Sequence, residues 1–147
     1  MRLRLADFVL EKPFAMAPGN VLVVEDDDSV RHLLIEYLRD RASQVDGARD
    51  GADALHYIHL HHYDLILLDV MMPHMTGIDF LDSLQVLLAD RTVTTLRTPP
   101  AIIVITSATA EQIPNGQLQE RSPGMIHAVL RKPLQMTQLE ICLDRLR

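Results

Sequence analysis

The sequence predicts an α/β sandwich, with one mainly parallel sheet covered by helices on both faces. Three observations carry this reading. The runs "VLVV" (21–24), "LILL" (65–68) and "AIIVI" (101–105) are apolar without interruption, as expected of strands buried on both sides. The stretches between them carry apolar residues at three- and four-residue spacing, the pattern of helices with one buried face. The two kinds of segment alternate along the chain, and such alternation builds βαβ units and a parallel sheet.

The elements follow in order. Residues 1–19 end in "APGN", a turn-like boundary, and stand as an N-terminal extension to a domain over 20–147. After the first strand, "DSVRHLLIEYLRD" puts Val30, Leu33, Leu34, Tyr37 and Leu38 on one helical face, with Asp28 or Ser29 as N-cap. "SQVD" (43–46) is a weaker second strand. "GADALHYIHLHH" aligns Ala54, Leu55 and Ile58 as a second helix, and "GIDFLDSLQVLL" follows the third strand as the third helix. A long polar connection, "ADRTVTTLRTPP", leads to the fourth strand. The fourth helix must come from "EQIPNGQLQERSPGM", where Pro114, Asn115-Gly116 and Pro123-Gly124 confine it to about 114–121. "MIHAVL" (125–130) is the fifth strand and "QMTQLEICLDRLR" holds the fifth helix, 135–146.

Composition narrows the class. The 147 residues suit one domain, and 48% hydrophobic with 23% charged residues is ordinary for a soluble globular fold. A net charge of −6 argues against a nucleic-acid surface. Cys142 is the lone cysteine, which excludes an internal disulfide and favours a reducing compartment, so a cytoplasmic location is expected. No apolar run approaches the roughly 20 residues that span a bilayer. Asp7, Glu11 and Lys12 interrupt any signal-peptide core near the start.

Ligands of open parallel sheets bind beyond the carboxyl ends of the strands. Glu25, Asp26 and Asp27 follow the first strand, Asp69 the third, Thr106 and Ser107 the fourth, and Arg131, Lys132 and Pro133 the fifth. Carboxylates brought together raise one another's pKa and call for a counter-ion. With oxygen ligands and no His or Cys, the suitable ion is magnesium, which takes one or two carboxylates, waters and a phosphate. A carboxylate beside magnesium, a hydroxyl and a lysine is a competent phosphoryl acceptor. The bland reading, a helix N-terminus that favours acids, is kept for Asp27 and Asp28.

"VLVVEDDDSVRHLL", "YDLILLDVMMPHMTGIDFL", "IIVITSA" and "VLRKPL" resemble the receiver domain of two-component response regulators, over about residues 20–147. The resemblance implies a doubly wound, flavodoxin-like sheet of five parallel strands in the order 2-1-3-4-5. It makes Asp69 the phospho-acceptor, and gives magnesium Asp26, Asp69, Glu25 through a water, and the backbone carbonyl of Met71. Thr106 would bind the phosphoryl group. Lys132 would neutralise it and, before that, pair with Asp69. Pro133 would follow a cis bond. The implied partners are a sensor histidine kinase or phosphotransfer protein upstream and an unidentified protein downstream. A homodimer is a further expectation, with no direct nucleic-acid or membrane contact.

Departures from the family pattern fall on the output side. Val129 stands where relatives carry Tyr or Phe, so an aromatic rotamer switch cannot operate there. The signal is expected to leave through 107–124, with the helix over 135–146 nearly fixed. No output domain follows the fifth helix, so a stand-alone receiver read by protein contact is the expectation. A receiver cut from a longer regulator or hybrid kinase is the alternative. A haloacid-dehalogenase-like phosphatase would need an acid at position 71, where Met71 stands. A flavodoxin-like electron carrier would need a hydroxyl- and glycine-rich loop after the first strand. His56, His59 and His62, spaced by three, are read as a solvated helix face rather than a transition-metal site. His32 is not expected to donate a phosphoryl group, because such donors sit in four-helix bundles.

Overall fold

A computed structural model describes residues 19–72, 75–107 and 115–146. The strands are β1 (Asn20–Val24), β2 (Gln44–Ala48), β3 (Leu65–Leu68), β4 (Ala101–Thr106) and β5 (Ile126–Arg131). The helices are α1 (Asp28–Arg39), α2 (Gly51–Leu60), α3 (Gly77–Ala89), α4 (Asn115–Arg121) and α5 (Met136–Asp144), and a 3-10 turn spans Thr94–Leu96. All strand pairs are parallel and the order is β2-β1-β3-β4-β5, the doubly wound arrangement expected.

Side chains on successive strand residues point to opposite faces, and here each face has its own core. Leu22, Val24, Ile66, Leu68, Ile102 and Val104 pack with Ile58 of α2, Phe80, Leu81 and Leu84 of α3 and Leu118 of α4. Val21, Val23, Leu65, Leu67, Ile103 and Ile105 pack with Leu34 and Leu38 of α1 and with Leu139, Cys142 and Leu143 of α5. Apolar burial on both faces explains why these strands read as unbroken apolar runs. Each fully buried Leu or Ile contributes about 1.5–3 kcal/mol, so the central strands anchor everything mounted on their ends.

Local chemistry fixes the helix starts. Asp27, not Asp28 or Ser29, is the N-cap of α1, because its carboxylate accepts the Val30 N–H at 3.1 Å. Asp50 caps α2 through the Asp53 N–H, and Thr76 with Asp79 forms a reciprocal capping box on α3. Two strand boundaries move from their sequence positions. β2 runs two residues further than "SQVD", because Gly47 and Ala48 pair with Val23 and Val24. β5 starts and ends one residue later than 125–130, and a bulge beside Ile103 makes room for His127. α4 begins at Asn115, and α5 is shorter than 135–146. The expectations for residues 1–18, for Pro73 and His74, and for most of 107–114 lie outside the described residues.

The histidine row does not share one helical face. α2 ends at Leu60, and His61 turns extended at the C-cap. His62 lies beyond it, with Nδ1 3.0 Å from Thr95 O and Nε2 3.0 Å from Asp64 Oδ1. His59 Nδ1 turns back to Leu55 O instead.

Candidate functional site

Glu25, Asp69 and Lys132 each stand one rung past a strand. The Glu25 N–H donates to Ala48 O, the Asp69 N–H to Val24 O and the Lys132 N–H to Thr106 O, each at 3.0 Å. The parallel ladder therefore continues into the loops and fixes where these side chains start. Thr106 closes β4, buried, opposite Arg131 of β5. Leu68 pairs with Val104, so Thr106 lies two residues beyond that pair on the strand next to Asp69.

Asp69 is only 4% exposed, and both of its carboxylate oxygens are engaged. Oδ1 accepts the Met71 N–H at 2.9 Å, and Oδ2 accepts from Lys132 Nζ at 3.1 Å. Glu25 is 2% exposed. Its Oε2 accepts the Asp27 N–H at 3.2 Å, and its Oε1 lies 2.6 Å from the same Lys132 Nζ. Lys132 thus pairs with Asp69 as expected, but it bridges to Glu25 as well. The Lys132–Pro133 peptide is cis. Asp26 is exposed.

Glu25, Asp26 and Asp69 each offer a carboxylate oxygen, and these atoms lie within 4.8 Å of one another. Among the described residues this is the one cluster of three or more acids, histidines or cysteines close enough to share an ion. An all-oxygen, strongly anionic donor set fits a hard divalent cation such as magnesium rather than a softer metal that favours His or Cys. The electrostatics agree. Burial pushes the Glu25 carboxyl up to about 7, against the pull of its hydrogen bond with Lys132. Burial works to lower the Lys132 pKa, but its bond to Glu25 and the charges of Asp69 and Glu25 hold it above its usual value. The cluster carries more negative charge than one lysine neutralises.

Two residues take their physical reason from the structure. Gly77 follows Asp69 closely in space: its N–H donates to Val70 O at 3.0 Å, and an added Cβ would run into the Val70 backbone and lie 2.9 Å from Asp69 O. This is why a glycine stands at position 77. Arg31 is 8% exposed, donates to Glu25 O at 2.9 Å and pairs with Asp28. Its guanidinium holds the Asp28 carboxyl below the usual carboxylate range. The three-residue spacing of Asp28 and Arg31 was the available signal.

Comparison with known proteins bears on this arrangement. The family model described as response regulator receiver domain matches residues 21–144. The sensor protein EvgS of Escherichia coli (strain K12) is 32% identical over 130 residues, covering 86% of this chain and 10% of EvgS. The transcriptional regulatory protein DltR of Streptococcus agalactiae is 44% identical over 61 residues, covering 42% of this chain and 27% of DltR. The chain therefore spans well under half the length of these relatives. Among solved structures, Vibrio cholerae chemotaxis protein CheY4 is 28% identical with a TM-score of 0.69, covering 89% of this chain and 100% of that one. A receiver domain from Methylobacillus flagellatus shares the fold, with 20% identity, a TM-score of 0.71, and coverage of 88% and 98%. A family match across nearly all of the folded unit, over a site assembled from the strand ends, makes the assignment: this chain belongs to the response regulator receiver domain family, the signalling domains of two-component systems.

Proposed function

We propose that Asp69 accepts a phosphoryl group from a histidine kinase or phosphotransfer protein, and that the product signals to a protein partner by conformational change. The observation that carries this is the state of Asp69: a buried carboxylate, oriented by the Met71 N–H and by Lys132, and grouped with Glu25 and Asp26. Residues 20–147 form the receiver unit in this reading, and 1–19 an N-terminal extension. A cytoplasmic setting fits its lone, buried Cys142.

The roles follow from chemistry. An Asp69 oxygen forms a bond to phosphorus as the donor's P–N bond breaks, and the electron pair leaves with the donor's imidazole nitrogen, which is protonated. Asp26, Asp69, Glu25 through a water and the Met71 carbonyl would hold magnesium. When bound, the ion supplies charge neutralisation for the carboxylates and the phosphoryl oxygens. Lys132 holds Asp69 before transfer and shifts its charge to the phosphoryl group afterwards. Thr106 supplies a hydroxyl donor from the adjacent strand. Phosphoryl transfer asks mostly for positioning and neutral charge, and these residues supply both.

The test is incubation with a small-molecule phosphodonor and magnesium, followed by intact-mass measurement. One added phosphoryl group is expected on the natural sequence and none on Asp69→Asn. Full labelling of Asp69→Asn would remove Asp69 from its role.

A further inference from the structure

Arg31 is an uncommon arginine. A guanidinium removed from water is costly unless its donors are met. Here Nη1 donates to Glu25 O at 2.9 Å and Nη2 pairs with the Asp28 carboxylate. The stem lies in a notch left by Gly47: a Cβ there would stand 3.2 Å from Arg31 Cδ and 2.7 Å from Ile35 Cδ1. The Glu25 backbone is therefore held on both sides of its Cα, its N–H by Ala48 O and its carbonyl by Arg31. The plane fixed by that carbonyl is the peptide that leads into Asp26, the exposed member of the acidic cluster.

We infer that Arg31 is a positioning residue for the metal-binding loop, setting the Glu25–Asp26 peptide so that Asp26 and Glu25 face Asp69 together. The inference rests on the phosphoryl-acceptor reading above and deepens it. Arg31 touches neither the ion nor the phosphoryl group; it acts through the backbone of Glu25. A lysine reaches Glu25 O with one point charge but cannot hold Asp28 at the same time with a planar fork. A methionine keeps the stem in the Gly47 notch and loses both bonds.

The test uses the full chain, with magnesium alone followed by amide chemical shifts, and phosphorylation by a small-molecule phosphodonor at limiting and saturating magnesium. Removing partners that orient metal ligands weakens metal binding by about tenfold or more. Arg31→Met is expected to weaken magnesium binding by about tenfold, with Arg31→Lys between it and the natural sequence. Phosphorylation should fall in the same order at limiting magnesium and recover at saturation. Arg39→Gln removes a similar charge from the exposed end of α1 and should change neither measurement. Thermal denaturation of each variant separates the alternative. If Arg31→Met and Arg31→Lys lose stability yet bind magnesium as tightly as the natural sequence, Arg31 is only a brace and the inference fails. If the natural sequence itself neither binds magnesium nor takes a phosphoryl group, the phosphoryl reading fails first, and this inference with it.

Discussion

Lys132 Nζ lies 2.6 Å from Glu25 Oε1, closer than its 3.1 Å approach to Asp69. The family's lysine is thus shared between two buried carboxylates, and its removal leaves both without a cation. Lys132→Met should cost about 2 kcal/mol in chelator, since an unpaired buried charge destabilises strongly and Lys132 is partly exposed. Magnesium should restore much of the loss by supplying another cation. Urea unfolding with chelator and with magnesium measures this, and equal losses in both would show that Lys132 does not share its charge with the cluster.

The acids around that lysine should not be equivalent. Asp26→Ala is expected to abolish magnesium binding and phosphorylation together. Glu25→Ala should weaken both less, because its proposed contact with the ion runs through water and its carboxylate is already held by Lys132 and the Asp27 N–H. Magnesium titrations followed by amide shifts rank the two variants. Normal phosphorylation of Asp26→Ala would assign the ion to another acid.

Gly77 predicts a steric effect. The Cβ of Gly77→Ala would press on the Val70 backbone, a fixed partner rather than a side chain that can rotate away. Overpacking of this kind costs about 1–3 kcal/mol. The strain falls next to Asp69, so magnesium binding should weaken too. An alanine variant with natural stability, read by urea unfolding, would mean that α3 shifts to accommodate it.

His62 predicts a pH effect at the other end of the sheet. Its ring nitrogens face Thr95 O and an Asp64 oxygen, which only accept hydrogen bonds, so the charged ring satisfies both. The Thr95 carbonyl first, and Asp64 after it, raise the His62 pKa, against a burial effect that lowers it. The folded pKa lies above the unfolded one. The contribution is therefore fully present below the ordinary value near 6.5 and is lost as pH rises through the folded pKa. His62→Gln should lower the Tm by about 1–3 °C at pH 5.5 and by less at pH 9, a small effect because solvent screens the pair. A pH-independent difference would count against the charged ring.

The sheet and most of the site were legible because both are written in contiguous residues. An apolar run ending in acids, as at Val24–Glu25 and Leu68–Asp69, marks a buried strand and its functional end in one stretch. Lys132 was legible for the same reason. Its second partner was not, because Glu25 is 107 positions away and the shared contact exists only once β1 and β5 hold their places on either side of β3 and β4. Arg31 drew no reading from the sequence, since the notch that buries its stem belongs to Gly47 on another element. The end of α2 was hidden as well: neither glycine nor proline marks Leu60, and the chain turns as Tyr63 enters the core and bonds Asp46 at 2.6 Å.

The extra rungs at Glu25, Asp69 and Lys132 have a consequence for grafting. Their amide hydrogens already belong to the neighbouring strands, so these residues are ends of the scaffold rather than beginnings of the loops. A transplanted loop should therefore be joined at Val70 or Pro133, and on β1 after Asp26, whose carboxylate belongs to the acidic cluster. A junction drawn one residue earlier would exchange the loop and unseat a side chain of the candidate site along with it.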